Sequence, residues 1–141
     1  MQVEFLIPDK PKGYIRRNRK ALWTPAAKEY HTWMNKVAWC AKYVGISLPL
    51  IAIPEKPAIL EVTVYLNDKD YRAYMKCGAF PDGGNITKAI SDALCYISKV
   101  AKAANKKLGI KYYGDKYVYE RYVGVEKGDT TETKVVLKWE T

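Results

Sequence analysis

The sequence predicts an α+β domain in two layers, a mixed sheet of about four strands with two main helices on one face. Three observations carry that expectation. Apolar residues alternate with period two over several short stretches, they recur with helical period over two longer ones, and the stretches run strand, helix, strand, helix, strand, strand. A length of 141 residues with 48% apolar side chains suits a single domain, 1–141, closed around one core.

Val3 to Ile7 is a short apolar run stopped by Pro8, the pattern of a first strand. The following segment, DKPKGYIRRNRK, is broken by Pro11 and Gly13 and reads as a basic loop. Thr24 can cap free helix amides and Pro25 tolerates the first helical position, so a helix is expected from there to about Val44. Its stripe of Tyr30, Trp33, Val37, Cys40 or Ala41, and Val44 is expected to face the core, and Gly45 is placed to end it.

After the connecting stretch SLPLIAIPEKP, Ile59 to Asn67 alternates Leu60, Val62, Val64 and Leu66 against Glu61, Thr63 and Tyr65, as a strand with one buried face does. Asp68 to Gly84 turns polar and is expected to be a long irregular excursion. Asn85 is the expected cap of a second helix reaching about Ala104, with Ile86, Ala89, Ile90, Ala93, Leu94, Ile97 and Val100 on its apolar face. Tyr117 to Val125 and Thr133 to Trp139 are the last expected strands, joined by a turn around Lys127, Gly128 and Asp129.

The formal net charge is +9, from 24 Lys and Arg against 15 Asp and Glu, and it points towards a polyanionic partner. Cys40, Cys77 and Cys95 have no CxxC spacing, so they suggest neither a disulfide framework nor a zinc site and read as thiols in a reducing compartment. No stretch approaches the ~18 apolar residues of a membrane span, and no signal-like run opens the chain. A cytoplasmic protein with no membrane partner is therefore expected. His31 is the single histidine and reads as a surface or packing residue; no Ser-His-Asp set, phosphate-cradling loop or HExxH motif is present.

At 100° per residue, Asn85, Lys88 and Asp92 fall within about 60° of one another on the second helix, opposite its apolar face. Asp82 stands just before the helix, near the positive end of its dipole. Spacing alone favours an ordinary account of this polar stripe: capping, plus a solvated Lys88 to Asp92 pair. The string PDGGNITKAISDAL, Pro81 to Leu94, adds to it, because it resembles the signature of the RusA family of Holliday junction resolvases. Asp82, Asn85, Lys88 and Asp92-Ala93-Leu94 fall at the family's spacings. GDKYV, Gly114 to Val118, is similar to the family's later acidic element at the entry to a strand, with Asp115 at its second acidic position. The strand, basic tyrosine loop, Trp23-Thr24 link and first helix follow the family's order, so the resemblance covers nearly the whole chain.

The resemblance implies a homodimeric, structure-selective endonuclease for four-way DNA junctions in recombination and repair. It implies Asp82, Lys88 and Asp115 as catalytic residues, with Asp82, Asp115 and Asp92 as ligands of Mg2+ or Mn2+ and Asn85 in support. Phosphodiester hydrolysis suits hard oxygen ligands around such a cation and a compact ammonium beside it. The sequence departs from the family at Gly84, where an aspartate is expected. Asp70, Asp92 and Glu120 are the acids that could fill the gap; Glu120 ranks last, because five positions from Asp115 on an ideal strand puts it on the opposite face. The alternative is a catalytically weakened protein of the same fold that binds junctions or single strands. Either way, Arg16, Arg17, Arg19 and Lys20 would take phosphates, and Tyr14, with Trp23 nearby, could stack on unpaired bases. A solvated loop is the commoner fate of such a run.

Overall fold

A computed structural model describes residues 1–13, 25–77 and 81–139, with the side chain of Cys77 left aside. The expected basic-loop residues Tyr14, Arg16, Arg17, Arg19 and Lys20 lie outside the described residues, as do Trp23 and Thr24. The eight elements are β1 (Gln2–Pro8), α1 (Pro25–Tyr43), β2 (Ala58–Leu66), α2 (Asp68–Cys77), α3 (Gly83–Cys95), α4 (Lys99–Lys107), β3 (Val118–Lys127) and β4 (Glu132–Trp139).

The strands form one mixed sheet in the order β1-β4-β2-β3, antiparallel except for the parallel β2 and β3 pair. This is the α+β architecture that the alternating runs predict. Period two puts Ala58, Leu60, Val62, Val64 and Leu66 of β2 on one face, and the register aligns Leu60 with Leu137 and Val62 with Val135 of β4. Phe5 and Ile7 of β1 extend that apolar face, and α1 and α3 cover it. Tyr30, Trp33, Val37 and Ala41 of α1 meet Ile86, Ala89, Ile90 and Leu94 of α3 in the resulting core. Neither the helices nor the sheet could bury its stripe alone.

Four expectations need correction. Asp68 to Cys77 is helical: Asn67 accepts a hydrogen bond from the Asp70 amide at 2.9 Å, and Asp68 and Asp70 lie in the positive first turn. The expected helix to Ala104 is broken at Tyr96, whose backbone is extended, and Ser98 starts α4 by accepting from the Ala101 amide at 3.1 Å. Asp82, rather than Asn85, caps α3 by accepting from the Gly84 amide at 2.8 Å. Finally, β3 and β4 are not neighbours; β2 lies between them, so the Lys127 to Glu132 connection crosses the end of β2, where the Gly128 amide bonds the Leu66 carbonyl at 2.8 Å. At the end of α1, Gly45 adopts φ 93° and donates to the Lys42 carbonyl, the role expected of it. Among the described residues no helix is long and apolar enough to cross a membrane.

Candidate active site around the start of α3

Helix α3 begins over the middle of β3, an edge strand of the sheet, and close packing sets its position. A Cβ on Gly83 would stand 2.2 Å from the Tyr122 ring, so only glycine lets the helix start rest on β3. Asp82 is exposed at the tip, its carboxylate held by the Gly84 amide. Gly13 lies against Pro81 and Asn85, with a hypothetical Cβ 3.0 Å from the Pro81 Cβ and 3.5 Å from that of Asn85. The segment that enters the basic loop thus leaves from beside the start of α3.

One turn further on, the Lys88 ammonium lies 4.0 Å from Oδ2 of Asp115, which sits in the turn before β3. The two family-like stretches, distant in sequence, meet at this contact. Both side chains are half-exposed, so in energy the pair is worth little, about 1 kcal/mol or less. Its value is positional.

Glu120 joins the same face, against the order in which the acids were ranked. The Thr87 hydroxyl donates to its Oε2 at 3.2 Å, and Glu120 is in register with Leu60, whose side chain points under the helices. Counting strand positions from Asp115 misleads because Asp115 precedes the strand. Asp70, by contrast, is engaged elsewhere: it accepts from Thr131 and pairs with Lys10 at 3.1 Å, and these contacts hold its carboxyl below the usual range.

Beneath the acids lies the Cys95 thiol, pushed up to about 12 by burial first and then by the negative charges of Asp115, Asp92 and Glu120. Burial also raises Tyr112 to about 12, with Cys95 and Asp115 adding to it. Burial raises Tyr122 as well, assisted by Tyr74 and Asp82. In the sequence Cys95 stands only as one of three thiols without CxxC spacing, and Tyr112 belongs to no motif.

Among the described residues, no three His, Cys, Asp or Glu side chains gather into a group able to hold a metal. The donor set is nevertheless of the right chemistry for Mg2+ or Mn2+, hard carboxylate oxygens that can share a cation with retained waters. Asp82, Asp115 and Asp92, the ligands that the resemblance implies, are all among the described residues and do not form such a group. No protein-family model matches the chain, and no curated protein matches it.

Proposed function

We propose that the protein is a RusA-like, structure-selective endonuclease that cuts four-way DNA junctions in recombination and repair, acting as a homodimer in the cytoplasm. The observation that carries this reading is the approach of Lys88 to Asp115, which joins the Pro81 to Leu94 motif to the Gly114 to Val118 element. In it, Asp82 and Asp115 would hold Mg2+ or Mn2+, while Asp92, ten residues along the chain from Asp82 and about 15 Å along the axis of α3, would be a further acid of the same helix. The bound cation supplies an activated water and neutralises phosphate charge. Lys88 places a compact positive charge where negative charge grows on the phosphate oxygens as the bond to the leaving sugar oxygen breaks. Asn85, exposed in the first turn of α3, would orient Asp82 or a water on the metal. Arg16, Arg17, Arg19, Lys20 and Tyr14 grip the strands approaching the site.

A second reading has one observation in its favour. Gly84 stands where the family has an aspartate, and no three-acid group forms among the described residues, which suits a protein that binds junctions or single strands and cuts them weakly. Incubating the protein with a synthetic four-way junction, with and without magnesium or manganese, separates the two. Metal-dependent nicks placed symmetrically across the junction support the nuclease; binding without cleavage under every condition supports the second reading.

A further inference from the structure

Helix α4 buries no residue. Its nine residues are fewer than the ~12–15 that an isolated helix needs to be more than marginal in water, so tertiary packing within this chain is not what would secure it. Its cations are also crowded together, four lysines among nine residues. Lys99, Lys102, Lys106 and Lys107 are all exposed, no acid lies between Asp92 and Asp115, and none of the four pairs with a carboxylate among the described residues. Lys10, Lys36, Lys127, Lys134 and Lys138 each have an acidic partner, whereas Lys42, Lys56 and Lys76, which have none among the described residues, are scattered along the chain rather than gathered on one helix. At 100° per residue, Lys99, Lys102 and Lys106 fall within about 60° of one another and span about 10 Å of helix axis. They form a continuous cationic edge.

We infer that this edge of α4 is a docking surface for the phosphate backbone of nucleic acid, and that binding consolidates the helix. The identity of the polyanion as junction DNA rests on the function proposed above. Helix α4 follows the end of α3 and precedes the segment leading to Asp115, so the chain ties it to both stretches that form the candidate site. An anionic membrane is the rival partner, since Val100 and Leu108 are 81% and 74% exposed on another side of the helix. That apolar strip is completed by Ala101 and Ala104 and lacks aromatic anchors, which disfavours insertion.

The test compares wild type with the triple variant Lys99→Ala, Lys102→Ala, Lys106→Ala in two measurements: the salt dependence of four-way junction binding, and amide hydrogen exchange over 99–107. Because none of these side chains is buried, the variant is expected to keep the wild-type melting temperature. Three lost phosphate contacts should flatten the slope of log K against log salt by about 2 to 3. In wild type, junction DNA should slow exchange over 99–107. A triple variant at Lys42, Lys56 and Lys69, exposed lysines elsewhere, should retain most of the slope. An unchanged slope in the α4 variant, or equal flattening in the control, overturns the inference while leaving the proposed function standing. Slowed exchange with phosphatidylserine vesicles but not with junction DNA overturns it in favour of a lipid surface. Failure of wild type to bind any junction removes the proposed function as well.

Discussion

Asp82 caps α3 and, in the proposed nuclease, also offers a carboxylate to the metal; substitution can divide the two duties. Asparagine caps a helix about as well as aspartate, so Asp82→Asn should leave the melting temperature nearly unchanged while abolishing junction cleavage; Asp82→Ala should lose about 1 kcal/mol as well. Lys88→Ala should reduce cleavage and spare binding, as single-turnover assays and gel shifts would reveal. Gly84 is exposed, and a Cβ there would meet only Oδ1 of Asp82, at 3.1 Å. With a slight shift of that carboxylate, Gly84→Asp should lower the magnesium concentration needed for half-maximal cleavage. Worse cleavage than wild type would instead show that another acid, Glu120 foremost, already serves. Cys95 gives a pH prediction. Its thiol has an ordinary value of 9.0 and is held protonated to about 12 in the fold, so above pH 9 the unfolded chain gives up its proton first. The contribution of this thiol to stability is therefore full below pH 9 and is lost as pH rises towards 12. Melting temperatures between pH 8 and 11 should decline less steeply in Cys95→Ala or Tyr112→Phe than in wild type.

At the level of elements, the seat of α3 on β3 is the most sensitive joint. Gly83→Ala would drive a methyl into the Tyr122 ring and should cost about 1–3 kcal/mol in chemical denaturation, with part recovered by trimming Tyr122 to leucine. The sequence made α1 and the start of α3 readable because each has a wide apolar stripe that the core requires. Helix α2 was less readable: DKDYRAYMKC is polar overall, offers the core only Tyr71 and Tyr74, each partly buried, and its start depends on the Asn67 cap and two early acids. The break between α3 and α4 was hidden because Ile97 and Val100 stay in phase with the preceding apolar face, whereas Ser98 ends the run by capping a new helix. Period two likewise tells which face a strand buries but not which strand lies beside it, so the placement of β2 between β3 and β4 had no local signal. In the candidate site, the motif spacing foretold the polar stripe of α3, but the side on which Glu120 falls needed the register of β3 against β2.

Across the whole molecule, β4 is the strand that joins the others, since β1 pairs only with it and β2 reaches β1 only through it. Its central residues Val135 and Leu137 are fully buried, so a chain cut before Glu132 should show no cooperative thermal transition. This order also shapes how the protein is made. Synthesis proceeds at ~5–20 residues per second, so with 124 positions from Pro8 to Glu132 (132 − 8) the ribosome needs roughly 6 to 25 s to deliver the partner of β1. Throughout that interval a finished strand with an apolar face has no neighbour to pair with, and a nascent chain arrested before Glu132 should be a ready client for chaperones and proteases.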